Sequence, residues 1–154
     1  MSISEDRAVG YVRLCRDHIE RLLVLEQESY RDPWTPGMFF QELTTGSSHF
    51  FVVQRDEEII GYGGFWMLLD EAHITKITIA EPFRKQGLGS ELLDFLIGRA
   101  RVLGAKAVRL EVRTSNEAAR RLYYGHGFED VGVRKGYYAR SGEDALVMVK
   151  YLEQ

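Results

Sequence analysis

The sequence predicts one α/β (α+β) domain, residues 1–154, built on a mixed and mostly antiparallel sheet with helices on its faces. Three observations predict it. Three strand-like runs, 49–54, 59–68 and 73–79, are separated only by polar turns at 55–58 and 70–71, so they pair antiparallel. A strand over 73–79, a helix over 90–103 and a strand over 107–112 follow one another, and that crossover makes the two strands parallel. Finally, 154 residues, 45% hydrophobic and 28% charged, supply one core of ordinary size.

The remaining elements follow from local chemistry. Residues 9–14 alternate weakly and read as a first strand. Asp17 reads as an N-cap, after which Ile19, Leu22, Leu23 and Glu26 keep helical spacing to Tyr30. Thr35-Pro36 reads as cap plus first helical residue of a short helix presenting Phe39 and Leu43. In the helix over 90–103, Leu92, Leu93, Leu96, Ala100 and Leu103 recur at spacings of three and four, and Gly104 ends it. Ser115 or Asn116 caps a helix running through Tyr124, with Gly125 and Gly127 closing it. Strands over 128–134 and 145–152 come last, joined by a loop holding Tyr137, Tyr138 and Gly142.

Composition narrows the function classes. Twenty Lys and Arg against 23 Asp and Glu leave a formal charge of −3, which argues against a protein devoted to nucleic acid. Cys15 is the single cysteine, so no intramolecular disulfide and no cysteine metal cage form. His18, His49, His73 and His126 lack metal-ligand spacing, so no metal is expected. Residues 1–9 carry Glu5, Asp6 and Arg7 where a leader needs apolar residues. The longest apolar run, 59–69, is broken by glycines and is far short of the ~20 residues that span a bilayer. A cytoplasmic protein, without membrane contact, is the expectation.

The segment from Ile77 to Ser90 joins a strand to a helix. Gly87 and Gly89 let main-chain N–H groups turn toward one point, the helix start adds unpaired donors, and Arg84 and Lys85 stand just before them. That suits a phosphate or diphosphate. A nucleoside-triphosphate loop needs Gly-Lys-Ser or Gly-Lys-Thr, and the chain has Gly89-Ser90-Glu91. A dinucleotide fingerprint has its first two glycines in Gly87 and Gly89 and an acidic residue in Glu111, but Leu92 stands at the third glycine. A plain surface turn with a helix cap is the remaining reading of the glycines alone.

Arg84, Gln86, Gly87 and Gly89 follow an Arg-X-X-Gly-X-Gly pattern after a strand, which resembles the acetyl-coenzyme A loop of the GNAT superfamily. The segment 110–116 (Leu-Glu-Val-Arg-Thr-Ser-Asn) and the segment 122–128 (Leu-Tyr-Tyr-Gly-His-Gly-Phe) resemble two further signatures of that family. Asp32-Pro33-Trp34-Thr35, Lys135-Gly136-Tyr137-Tyr138 and 142–145 are similar to the branch of ribosomal-protein-alanine N-acetyltransferases (RimI type). The likeness runs from about residue 8 to the end. It implies the GNAT fold, acetyl-CoA as co-substrate, and a protein N-terminus, that of a ribosomal protein, as acceptor. It gives no metal and no direct nucleic-acid contact, and it leaves the oligomeric state open, a monomer being compatible. Ser90, where relatives often carry a basic residue, and Tyr124-Gly125-His126 depart from the pattern.

The resemblance assigns Arg84, Lys85, Gln86, Gly87, Leu88, Gly89 and Ser90 to the diphosphate. The main chain of Ile77, Thr78 and Ile79 would pair with the pantetheine amides and polarise the thioester, and Asn116 would touch the same arm. Acetyl transfer needs a neutral amine, which an α-amino group titrating near pH ~8 provides readily, and a proton for the leaving thiolate. Glu111 is the candidate base. As the one carboxylate in the apolar run 110–112 it is expected half-buried with a raised pKa; the competing reading is an exposed residue paired with Arg109 or Arg113. Tyr123 is the candidate acid, placed by the family beside the sulfur, with Tyr124 expected to pack under the sheet. Glu28, Trp34, Tyr137 and Tyr138 are implied acceptor contacts, and His73 a proton relay through water or a structural histidine. Cys15, expected in the first strand without a histidine partner, gives no sign of an acyl-enzyme, so direct attack in a ternary complex is expected. Two alternatives stay open: the same fold acting on another N-terminus, a lysine or a small-molecule amine, and a non-catalytic acetyl-CoA sensor, which would need neither Glu111 nor Tyr123.

Overall fold

The structure, a computed structural model, describes residues 8–152; of the leader reading over residues 1–9, residues 1–7 lie outside them. Its strands are β1 (Gly10–Arg13), β2 (Ser48–Arg55), β3 (Glu58–Leu68), β4 (Glu71–Ile79), β5 (Ala107–Arg113), β6 (Glu129–Tyr138) and β7 (Glu143–Tyr151). Its helices are α1 (Ile19–Ser29), α2 (Pro36–Thr44), α3 (Leu88–Val102) and α4 (Glu117–Gly125). The seven strands hydrogen-bond in the order β1-β2-β3-β4-β5-β7-β6, the mixed sheet expected from the sequence. Among the described residues, no helix is long and apolar enough to cross a membrane. Packing groups them into two compact units, one of the residues up to Phe65 with Lys76–Asp94, the other of Trp66–Thr75 with the residues from Phe95 on.

In the first unit, β1 and β2 pair antiparallel from Gly10↔Gln54 to Arg13↔Phe51. The turn between β2 and β3 places Asp56 and Glu57 at φ 53° and 68°, the double left-handed geometry of a two-residue hairpin. β3 carries glycines because its neighbours approach closely. A Cβ at Gly63 would sit 2.6 Å from the Lys76 carbonyl oxygen, and one at Gly64 2.6 Å from that of His49. The core here joins Leu14, Ile19, Leu22, Leu25, Phe39, Phe50, Val52, Tyr62 and Ala80, and each fully buried large side chain contributes about 1.5–3 kcal/mol. Thr35 caps α2 as expected, its hydroxyl accepting the Met38 N–H at 3.3 Å.

The entry to α1 differs from expectation. Asp17 lies inside a 3₁₀ turn, Arg16–His18, instead of capping the helix. The reason is local: the His18 Nδ1 accepts the Cys15 N–H at 3.0 Å, moving the start of the helical path back to Cys15.

In the second unit, β4 and β5 run parallel over Glu71↔Ala107, Ala72↔Val108 and His73↔Arg109. β5 pairs antiparallel with β7 along its whole length, from Ala107↔Tyr151 to Arg113↔Ala145. Leu110, Val112, Leu146 and Met148 are buried on these two strands. α3 ends at Val102 and the chain turns at Gly104, whose φ of +89° lets the Ala105 N–H return to the Ala100 carbonyl at 3.0 Å. Asn116, not Ser115, caps α4, its side chain accepting the Ala119 N–H at 3.1 Å. Tyr137 and Tyr138 are the last residues of β6, not part of a loop. The strand continues because its pairing with β7 shifts register between Arg134 and Tyr138 and resumes at Tyr138↔Glu143. The Asp144 carboxylate accepts the Gly136 N–H at 2.9 Å across that shift.

Candidate functional site

The turn into α3 belongs to the first unit. α3 begins at Leu88, two residues before the sequence pattern places it, and its first main-chain bond is Glu91 N–H to the Gly87 carbonyl at 3.0 Å. The amides of Leu88 and Gly89 therefore precede the helix's own ladder, at its positive end. Lys85 and Gly87 sit at φ +63° and +83°, two left-handed residues one apart, so the main chain folds back in a tight concave turn. Arg84, Lys85, Gln86 and Gly87 are exposed, while Leu88 is buried and anchors the turn. The Arg84 side chain turns inward: its Nε donates to the Ile79 carbonyl at 2.7 Å and its guanidinium to the Ser29 hydroxyl at 3.0 Å. The β4–β5 register ends at His73, and Ile77, Thr78 and Ile79 are not in it. Two of these residues' main-chain acceptors are taken: Arg84 holds the Ile79 carbonyl, and the Tyr30 hydroxyl donates to that of Ile77 at 3.3 Å. Ile79 and Thr78 are buried and Ile77 half-buried.

Glu111 lies in the second unit with its side chain only 7% exposed, and His73, read from sequence as a proton relay or a structural histidine, pairs with it directly. The His73 Nε2 stands 2.6 Å from Glu111 Oε1, and the Arg134 guanidinium stands 3.7 Å from Oε2. The pKa of Glu111 is accordingly lowered, which corrects the expectation of a raised value. Burial alone pushes the carboxyl up, but the His73 hydrogen bond and charge, with Arg134 and Arg109, outweigh it. An ionised Glu111 can only accept, so the proton between the two groups sits on His73 Nε2, which makes Nδ1 the ring atom left for another partner. The pair is thus an orienting carboxylate with an imidazole that is 27% exposed.

Tyr123 is buried on α4 against the Phe128 ring, centroids 5.7 Å apart. Tyr124, expected to pack beneath the sheet, is 40% exposed and donates to the Asp130 carboxylate at 2.8 Å. One helical step of ~100° separates the two faces, and the apolar face of α4 takes Tyr123. The Tyr137 and Tyr138 rings meet edge to face at 5.0 Å; Arg134 lies over the first at 4.7 Å and Arg113 over the second at 3.9 Å. Burial raises the Tyr138 pKa to about 12. Glu143 ties this end of β7 to the α4 entry, accepting from the Ser115 N–H at 2.8 Å and from Arg113 at 3.3 Å.

Of the other candidates, Glu28 is exposed, and Trp34 packs its ring on Phe39 and Phe50 at 5.1 and 5.8 Å. Cys15 lies beyond β1, and its sulfur is 3.8 Å from His18 Nε2, so the expectation of a cysteine without a histidine neighbour is wrong. Sequence reasoning missed Glu26, Tyr62 and Lys76, which form a buried cluster in the first unit. A signal existed: Glu26 occupies the apolar stripe of α1, and Lys76 interrupts an isoleucine-rich strand.

The chain is similar to known proteins over most of its length. The profile described as "Acetyltransferase (GNAT) family" matches residues 19–128. The chain is similar to the "N-alpha-acetyltransferase RimI" of Mycobacterium tuberculosis, 35% identical over 141 residues, covering 88% of this chain and 87% of that one. It is 33% identical over 135 residues to the ribosomal protein bS18-alanine N-acetyltransferase of Haemophilus ducreyi, covering 86% and 92%. Among solved structures, the crystal structure of the ribosomal-protein-S18-alanine N-acetyltransferase from Escherichia coli superposes with a TM-score of 0.87 at 28% identity, covering 96% of each chain.

Proposed function

Because the chain belongs to the acetyltransferase (GNAT) family, we propose that it transfers the acetyl group of acetyl-CoA to the α-amino group of an N-terminal alanine on a small-subunit ribosomal protein, as one domain that takes in both packing units. The observation that carries the reading is Glu111, which lies in a segment that resembles the family's signature, is largely withdrawn from water and stands 2.6 Å from His73. The similarity to bS18-alanine N-acetyltransferases over most of both chains supports the acceptor. A cytoplasmic setting, where such a substrate is made, goes with that reading.

The chain's own groups divide the work as follows. The main-chain amides at 87–90, with Lys85, hold the diphosphate, and Arg84 fixes the end of β4. Residues 77–79 offer their main chain to the pantetheine arm, and Asn116 caps α4 while meeting the same arm. The Glu111–His73 pair takes the ammonium proton, His73 through Nδ1 and Glu111 by stabilising the resulting imidazolium. The amine nitrogen forms the new bond to the acyl carbon, the carbon–sulfur bond breaks, the Tyr123 hydroxyl protonates the departing thiolate, and the second proton shed by the nitrogen restores the Tyr123 hydroxyl. Attack is direct: the Cys15 sulfur has His18 as neighbour, but both stand at the N-terminal end of α1, and Glu111 and His73 already form an acid–base pair without them. Glu28 and Trp34 of the first unit, and Tyr137 and Tyr138 of the second, are the proposed acceptor contacts.

The test is intact-mass analysis of ribosomal protein S18 and of an alanine-initiated peptide after incubation with acetyl-CoA and this protein. One acetyl group confined to the N-terminal residue is the expected product. Faster acetylation of free lysine or a polyamine, or acetyl-CoA binding without turnover, overturns the reading.

A further inference from the structure

The residues between α1 and α2 form no regular element, yet they are tightly held. Glu26, on α1, is wholly buried, and every polar contact to its carboxylate comes from a different part of the first unit. Tyr62 donates to Oε1 at 2.6 Å from β3, the Trp34 main-chain N–H donates to Oε2 at 2.9 Å, and Lys76 Nζ donates to Oε2 at 2.7 Å from β4. The Lys76 side chain is 10% exposed, and its ammonium lies over the rings of Tyr30 at 4.0 Å and Trp34 at 4.7 Å. Tyr30 in turn meets the Thr78 hydroxyl at 2.5 Å. A cation enclosed by a carboxylate and two aromatic faces is the chemistry of an ammonium cage, here filled by the chain's own lysine.

Such a pair is a poor way to gain stability. Burying two charges costs several kcal/mol each, and well-packed apolar residues usually serve the fold as well or better. Direction is what the charges add: the ammonium draws both rings onto one point, and the ionised carboxylate holds the Trp34 amide.

We propose that Lys76 is a positioning residue for the acceptor: seated between Glu26 and the faces of Tyr30 and Trp34, it fixes the connection between α1 and α2 in the shape against which the substrate polypeptide docks. The inference rests on the acetyl-transfer reading above, in which Trp34 is a proposed acceptor contact.

The experiment compares wild type with Lys76→Met and with the apolar exchange Glu26→Leu plus Lys76→Met, each in a Trp66→Phe background so that Trp34 alone fluoresces. The double variant leaves no buried charge without its partner; because Tyr62 and the Trp34 amide lose an acceptor in it, circular dichroism and Tm establish that each variant is folded before it is compared. Expected are a KM for the alanine-initiated peptide about tenfold higher, a KM for acetyl-CoA and a kcat within about twofold of wild type, and Trp34 quenching by acrylamide raised about twofold. A folded variant with unchanged peptide KM, or with both KM values rising together, overturns the proposal; so does unchanged quenching. If the wild type acetylates no peptide, the acceptor assignment falls instead, and quenching still reports whether Lys76 orders the connection.

Discussion

Glu111 is held ionised where an isolated carboxylate as little exposed would resist charge, because His73 donates to it and Arg134 and Arg109 stand near. Its expected role makes Glu111→Gln lower kcat by about 10²–10⁴ while leaving acetyl-CoA affinity, measured by calorimetry, unchanged. The pH dependence has a defined sign. His73→Gln takes away an interaction that lowers the Glu111 pKa, so the Glu111 carboxyl, followed by carbon-13 NMR, titrates at higher pH, toward or past the ordinary carboxylate value near ~4.3, while kcat/KM falls because the Nδ1 acceptor is gone. A titration that stays in place means that His73 does not tune Glu111. As candidate base Glu111 was legible, from one carboxylate in an apolar run taken together with the family resemblance. Its partner was not, since 38 residues separate His73 from Glu111 and only parallel pairing of β4 with β5 brings them together. Tyr123 and Tyr124 show the same limit: neighbours in sequence, they differ in burial because packing selects one face of α4.

For the elements, turn chemistry was the clearest guide. Gly87 adopts φ +83°, and a Cβ at that position would meet nothing within 4 Å, so Gly87→Ala introduces backbone strain of about 1–2 kcal/mol and no clash. The expected result is weaker acetyl-CoA binding in calorimetry with only a small fall in Tm. Gly63→Ala behaves oppositely. Its Cβ would lie 2.6 Å from the Lys76 carbonyl oxygen, and overpacking of that kind costs about 1–3 kcal/mol, seen as a lower urea midpoint and Tm. The glycine turn, the Thr35 cap and the α3 stripe were all readable from adjacent residues. The extent of β6 was not: a register shift against β7 carries the strand through Tyr137 and Tyr138, and that shift depends on the partner strand.

Across the whole molecule, titration predicts stability that falls away at both ends of the pH scale. Glu111 and Glu143 have lowered pKa values, so the stability they contribute is present above the unfolded carboxylate value near ~4.3 and is lost as pH falls through their folded values. Tyr30, Tyr62 and Tyr138 have raised pKa values, burial being the largest cause in each, and that of Tyr138 reaches about 12. Their contribution is present below the unfolded tyrosine value near ~10 and is lost as pH rises toward the folded ones. Urea midpoints measured across pH should form a plateau bounded by these two limits; a midpoint rising above pH ~10 contradicts the tyrosine assignments.

The chain's local pattern was sufficient for the order of strands and helices, the mixed sheet, the glycine turn ahead of α3, and the family that these segments resemble. Spacing, caps and turn residues act over a few positions, so they are written in adjacent letters. Which charges are buried, which partner each one faces and which way its pKa moves came only with packing. Glu26 with Lys76, and Glu111 with His73, lie 50 and 38 residues apart. The energy of a charge depends on everything brought within a few ångströms of it, and no neighbouring letter records that.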